Sequence, residues 1–148
     1  MNNMKLNNDL ISSQSIIINA RPEKVWQTLT SPSLISQYLF GAQTITNWNV
    51  GSDILFKINF EGEEFIDKGI VVENIPNKKL KYKYWSGFCG LEDKSENYSL
   101  VSYNIEKVEN DKSKLKWTQK GFADDQSRTN SENSLAIILE KIKAIAEK

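Results

Sequence analysis

The sequence predicts an α+β domain in which an antiparallel β-sheet packs against a long C-terminal helix. Three observations predict it. Apolar residues near the C-terminus recur at gaps of three and four, the spacing of one face of an α-helix. The central chain largely alternates apolar and polar residues with period two, as half-buried strands do. Short turns join these strands in succession, which favours antiparallel pairing with the helices on one side of the sheet.

The 148-residue chain is long enough for one domain with a substantial core. Its Asn-rich start predicts a flexible tail over residues 1–11, and we expect residues 12–148 to form the domain. The β-branched run at residues 14–20 (QSIIINA) predicts the first strand.

Two short helices are predicted directly after this strand. Pro22 suits the first turn of a helix, where the missing backbone N–H costs nothing. Ser31 and Pro32 end that helix near Thr30 and can begin another, which runs to about Tyr38.

Six further strands follow, each indicated by alternation and bounded by turn residues. They are predicted at residues 43–48, 54–60, 64–74, 79–85, 98–108 and 114–122. The turns at residues 49–52 and 61–62 contain glycine, as tight connections between strands often do. Residues 86–96 form the longest irregular stretch.

The last element is a helix predicted over residues 127–147. Its apolar stripe comprises Leu135, Ile138, Leu139, Ile142, Ile145 and Ala146. Thr129 and Glu132 have the spacing of a capping box at its start. A helix of this kind gains most of its stability from burying its stripe, so we expect the sheet to receive it.

Composition excludes several classes of function. The charges balance at 19 basic and 19 acidic residues, so no nucleic-acid partner is expected. Histidine is absent, which removes the usual general base and the commonest metal ligand, and we expect no metal, no cofactor and no catalytic residue. The single cysteine, Cys89, has no partner for an internal disulfide and no histidine to activate it.

The polar start and the absence of a membrane span predict a cytoplasmic protein.

Several motifs occur in a characteristic order. They are residues 20–26 (ARPEKVW), the Val50–Gly51 turn, residues 69–76 (GIVVENIP) followed by Leu80 and Tyr82, and the terminal helix. With this order and spacing, residues 14–146 resemble the START-like, or SRPBCC, superfamily, and within it the branch named for activators of a heat-shock chaperone's ATPase. The resemblance implies a helix-grip fold of the START-like or Bet v-like type. In that fold a curved antiparallel sheet of six to seven strands wraps the long C-terminal helix, often with an apolar cavity between them.

Two positions depart from the pattern of this family. Ser52 stands where members often carry a second glycine, and Leu135 stands near where they often carry a tryptophan on the buried face of the terminal helix. An aliphatic side chain there leaves more room beneath the helix, although Trp48 or Trp117 could equally fill it.

Aromatic residues provide the main candidate site. Those that share the inward parity of their strands are Phe56, Phe60, Tyr82, Tyr84, Tyr103 and Trp117, opposite Leu135, Leu139 and Ile142. One interpretation is an apolar pocket in which tyrosine hydroxyls fix the polar end of a ligand, and the other is an ordinary packed core. The predicted ligand-binding set is Tyr38, Trp48, Phe56, Ile58, Phe60, Tyr82, Tyr84, Phe88, Tyr103, Trp117, Leu135, Leu139 and Ile142.

The loop at residues 86–96 carries Phe88, Cys89 and Leu91, which either gate the mouth of a cavity or pack down on the edge of the sheet.

Three carboxylates, Asp67, Glu73 and Glu106, lie within the strand pattern. One that faced a closed cavity could act as an acid or base, but strand parity favours the solvated face for them.

The sequence is compatible with three functions. The favoured one is binding of an apolar or aromatic small molecule, or a lipid, in a cavity between sheet and helix. The second is a protein-interaction module with a protein partner, resembling a chaperone co-regulator. The third is an enzyme of the cyclase or hydrolase kind, which needs a polar pair aimed into the cavity, such as Tyr84 with Asp67 or Glu73. The missing histidine counts against the enzyme.

Overall fold

The computed structural model describes residues 5–88 and 90–148. In this part of the chain one curved antiparallel sheet has the strand order β1-β7-β6-β5-β4-β3-β2. The strands are β1 Asn7–Ile18, β2 Gln43–Ile45, β3 Asp53–Phe60, β4 Glu63–Ile75, β5 Lys79–Trp85, β6 Ser99–Glu109 and β7 Lys112–Phe122. The helices are α1 Pro22–Thr30, α2 Pro32–Tyr38 and α3 Asp125–Ala146, with a short 3₁₀ helix at Ser95–Asn97. The predicted α+β helix-grip architecture is confirmed.

Helix α3 lies on the concave side of the sheet and packs mainly along β1. Its buried residues are Leu135, Ile138, Leu139, Ile142 and Ala146, which are five of the six positions in the predicted stripe. They share one core with residues of β1, β3 to β7, α1 and α2. No helix within residues 5–88 and 90–148 has the length and apolar character needed to cross a membrane.

The two short helices cover one end of this core, and prolines begin both of them as predicted. Tyr38 is buried at the end of α2, where its hydroxyl donates a hydrogen bond to the Leu29 carbonyl oxygen at 3.0 Å. The Trp48 indole N–H donates to the Thr30 carbonyl oxygen at 2.9 Å. These bonds satisfy carbonyl groups that the last turn of α1 leaves without helical partners.

The first strand begins earlier in the chain than residue 14, where it is predicted to begin. Strand β1 begins at Asn7, so residues 7–11 of the predicted tail lie in the sheet, paired with β7 from Phe122 onward. Asparagine disfavours strands, and the pairing is irregular between Asn7 and Ile11, so no regular pattern marks this segment. Close packing of Leu6 against Gly121 also fixes the segment to β7, since a Cβ atom at Gly121 would lie 2.6 Å from the Leu6 side chain.

Two other element boundaries also differ from prediction. Strand β2 ends at Ile45 instead of residue 48, because the chain turns there and Trp48 adopts a positive φ of 64°. Helix α3 begins at Asp125 with Asp124 as its N-cap, whose carboxylate accepts a hydrogen bond from the Ser127 backbone N–H. The prediction of a capping box at Thr129 and Glu132 is therefore wrong, because both positions lie inside the helix.

The burial of α3 predicts which of its residues stabilise the fold. Ile142 is fully buried, whereas Ile137, on the same helix, is 55% exposed. We expect Ile142→Ala to lower the free energy of unfolding by about 2–5 kcal/mol, because it removes buried methyl groups and leaves a cavity. The matched control, Ile137→Ala, should change it by less than about 0.5 kcal/mol. Urea unfolding of both variants measures this, and equal losses would contradict the position of α3.

Candidate functional site

A cavity of about 410 Å³ lies between the concave face of the sheet and the N-terminal half of α3. Its apolar wall is formed by Leu39, Ala42, Phe56, Ile58, Tyr82, Val101, Trp117, Leu135 and Ile138. Phe40 and Phe88 also line it and are 62% and 52% exposed, so the cavity is open to solvent at these side chains. The volume is in the range of pockets that bind small ligands.

Strand periodicity places most of the wall. Phe56 and Ile58 on β3, and Tyr82 and Tyr84 on β5, are two residues apart and therefore point to the same face of the sheet. Helix α3 crosses above them with Ser131 and Ser134 as well as its apolar residues. These small side chains do not reach the sheet as leucine would, so the space between them and the strands stays open.

A pair of tyrosine hydroxyls lies beside this wall. The Tyr82 and Tyr103 oxygens are 2.5 Å apart, and the two rings are nearly perpendicular. The Tyr103 ring also packs against Trp117, with 4.4 Å between ring centroids and 52° between the ring planes. Burial raises the pKa of both tyrosines above the usual value, so both hydroxyls are neutral near neutral pH.

The cavity also contains a buried carboxylate. Asp67 on β4 is 4% exposed and lines the cavity. It accepts hydrogen bonds from the Tyr84 hydroxyl and, at 3.0 Å, from the Gly87 backbone N–H. Burial raises the pKa of Tyr84, and the neighbouring Asp67 charge raises it further. Tyr84 therefore stays protonated and acts as a donor to Asp67.

The sequence places this carboxylate on the wrong face. The expected solvated position is confirmed for Glu106, which is exposed, and for Glu73, which pairs with Lys79 at 3.7 Å, but it is wrong for Asp67. A register shift between Val71 and Glu73 puts Asp67 and Glu73 on different faces of β4. The outward positions of this strand include apolar residues such as Ile70, which is 40% exposed, so apolar character does not reveal which face is buried.

The structure brings about half of the predicted ligand-binding set to the cavity. Seven residues line it: Phe56, Ile58, Tyr82, Tyr84, Phe88, Trp117 and Leu135. Four others, Tyr38, Tyr103, Leu139 and Ile142, are buried in the core and do not line the cavity. Trp48 packs against the end of α1, and Phe60 is largely exposed with its ring 6.2 Å from that of Phe88. Ligand binding by any of these residues stays a prediction.

The predicted ligand-binding set lacks several residues that line the cavity. They are Leu39, Phe40, Ala42, Asp67, Ser86, Val101, Gln119, Ser131, Ser134 and Ile138. For α3 a signal existed, because Ser131 lies four positions before Leu135, and Ser134 four before Ile138, which places both serines along the apolar stripe. For Leu39, Phe40 and Ala42 no periodic signal existed, because they lie in the turn after α2.

The loop at residues 86–96 has one apolar residue at the cavity and another that is buried. Phe88 stands at the opening of the cavity, whereas Leu91 is buried and its carbonyl oxygen accepts a hydrogen bond from the Trp85 indole at 3.1 Å. Gating by this loop stays a prediction. Cys89 lies outside the described residues.

Comparison with known proteins gives both a family and a fold. The profile of the family described as Activator of Hsp90 ATPase homolog 1-like protein matches residues 19–147. No curated protein matches the chain. The solution structure of ChR145 from Cytophaga hutchinsonii is 29% identical, with a TM-score of 0.80 over 97% of both chains.

Two more distant structures share the fold. The Aha1 dimer from Colwellia psychrerythraea is 22% identical, with a TM-score of 0.73 over 93% of this chain and 96% of that one. An HSP90 activator from Plasmodium falciparum is 17% identical, with a TM-score of 0.73 over 92% of this chain and 95% of that one.

The tyrosines predict a specific response to alkaline pH. Burial raises the pKa of Tyr38, Tyr82, Tyr84 and Tyr103 above 10.0, and burial beside Asp93 raises that of Tyr98 to about 12. The stability that comes from these raised values is complete below the unfolded pKa of about 10 and is lost as pH rises through the folded values. We therefore expect phenolate absorbance to rise well above pH 10, together with loss of the circular-dichroism signal. A titration step at pH 10 in the folded protein would contradict this arrangement.

Proposed function

Because the chain belongs to the family of Activator of Hsp90 ATPase homolog 1-like proteins, in the SRPBCC superfamily, we propose that it binds an apolar or aromatic small molecule, or a lipid, between its sheet and α3. The observation that carries the proposal is the open space of about 410 Å³ beneath the N-terminal half of α3. A cytoplasmic location is part of the same proposal, and cell fractionation tests it.

Neither Trp48 nor Trp117, the two tryptophans that could fill the space beneath the helix, occupies it. Trp48 is held at the end of α1 by its hydrogen bond to Thr30, and Trp117 forms part of the wall, packed against Tyr103. Leu135 lines the cavity from α3 with a side chain smaller than an indole. An apolar space of this size, lined by two exposed phenylalanine rings, can admit a ligand without rearrangement of the sheet.

A binding role fits the polar groups better than catalysis does. The Tyr84 and Asp67 pair does face the cavity, as an enzyme of the proposed kind would need. However, the raised pKa of Tyr84 keeps its hydroxyl protonated at neutral pH, which makes it a poor base or nucleophile. We assign no catalytic residue.

A second candidate function is protein interaction, and an exposed aromatic cluster favours it. Phe60, Phe65 and Phe88 lie beside the opening, with 6.2 Å between the Phe60 and Phe88 rings and 4.2 Å between those of Phe65 and Phe88. The family description and the Plasmodium structure both refer to activation of Hsp90.

We expect this chain to increase the rate at which such a chaperone hydrolyses ATP, and we expect the Phe60→Ser variant to increase that rate less. An unchanged rate would contradict this candidate.

Filling the cavity tests the favoured function. Leu135→Trp places an indole in the space beneath α3, whereas Ile137→Trp places one on the exposed side of the same helix. A ligand found by thermal-shift screening of fatty acids, fatty alcohols and aromatic compounds stabilises the protein by about 2.7 kcal/mol at 100 times its Kd. We expect Leu135→Trp to abolish this shift, because it occupies the site, and Ile137→Trp to retain it.

Two results would contradict the proposal. One is a screen in which no compound stabilises the wild-type protein. The other is a ligand shift that Leu135→Trp leaves intact while circular dichroism shows the variant to be folded.

A further inference from the structure

The charge inside the cavity has one sign. Asp67 contributes a carboxylate to the lining, and no described lining residue is lysine or arginine. A second carboxylate placed near Asp67 would be repelled and would lose its hydration without gaining a partner. An ammonium group would instead be attracted.

Asp67 also has hydrogen-bonding capacity to spare. It accepts one bond from the Tyr84 hydroxyl and one from the Gly87 backbone N–H. A carboxylate offers about four acceptor positions on its two oxygens, so about two remain for another donor. The residue is 4% exposed, which leaves the cavity as the place from which such a donor can come.

A second buried acceptor lies in the polar extension of the cavity, a chamber of about 450 Å³. Residues shared by the two spaces are Tyr84, Ser86, Phe88, Gln119, Ser131 and Ser134. Asn97 lines the extension, and its Nδ2 donates to the Glu92 carbonyl oxygen at 2.9 Å. That bond fixes the orientation of the amide. Its Oδ1 is therefore an acceptor, and it is buried without a hydrogen-bond partner among the described residues.

Both observations favour the same ligand chemistry. We propose that the cavity selects molecules with an apolar or aromatic body and a hydrogen-bond donor, either a hydroxyl or an ammonium group, and that it rejects carboxylates such as fatty acids. The apolar body occupies the space beneath Leu135 and Ile138, and the donor bonds to Asp67. This inference rests on the proposed function, because it names the class of ligand for the same cavity.

A cation does lie near the opening of the cavity. The Lys141 ammonium is 4.6 Å from the centroid of the Phe40 ring, but Lys141 does not line the cavity. A carboxylate ligand would have to hold its charged end outward, toward Lys141, and its affinity would then be independent of Asp67. Substitution of Asp67 therefore separates the two arrangements.

A matched series of probes tests the selection. Naphthylmethylamine, naphthylmethanol and naphthoate share one aromatic body and differ in the polar group. We expect isothermal titration calorimetry at neutral pH to show that the wild-type protein binds the amine about tenfold or more tightly than naphthoate, a difference of about 1.4 kcal/mol or more. Naphthylmethanol should also bind more tightly than naphthoate, because its hydroxyl can donate to Asp67.

Two variants assign the selection to one carboxylate. Asp67→Asn removes the charge and should bring the amine and naphthoate affinities within about threefold of each other. Glu73→Gln removes the same charge from the same strand outside the cavity, where Glu73 pairs with Lys79, and should leave the wild-type ratio unchanged.

Contrary results distinguish this inference from the proposed function. Wild-type protein that binds naphthoate as tightly as the amine would overturn the inference while leaving cavity binding intact, and this comparison needs no variant to fold. An unchanged ratio in folded Asp67→Asn would also overturn it. If Leu135→Trp leaves binding of every probe intact, the ligands bind elsewhere and the proposed function itself fails.

Discussion

Helix α3 changes character along its length, and the shape of the interior depends on that change. Its C-terminal half presents Leu139, Ile142 and Ala146 to the core, all buried against the sheet and the two short helices. Its N-terminal half presents Ser127 and Ser131, which lie along the cavity and its polar extension. The C-terminal half supplies the packing that holds the helix in place, and the N-terminal half leaves open space beneath it.

The polar groups around this space are arranged so that their burial is tolerated. The hydroxyls of Tyr82 and Tyr103 form a hydrogen bond with each other, and the Tyr84 hydroxyl donates one to Asp67. Each of these hydroxyls therefore has a hydrogen-bond partner although it is buried away from bulk water. Burial keeps the tyrosines neutral, which leaves Asp67 as the charged group that a ligand would meet. The same strand pairing that builds the wall therefore also sets its chemistry.

The sequence predicts the architecture well because the architecture depends on local signals. Pro22 and Pro32 mark the short helices, and the stripe of α3 marks its buried face. The site is less predictable because it depends on non-local pairing. A register shift in β4 puts Glu73 on the opposite face from Asp67, and β7 pairs with the Asn-rich start of β1. Parity identifies Phe56 and Tyr84 as inward, but it does not show which inward residues border a space and which, like Tyr103, fill one.

Ligand binding in this fold requires that the apolar space between α3 and the sheet is unfilled. Xenon enters apolar cavities without needing a polar partner, so crystals of the protein under xenon pressure show directly whether the space is open. We expect anomalous density for xenon between Phe56, Val101 and Ile138. A structure without xenon there, in which α3 and the side chains of the wall close over the space, would contradict it.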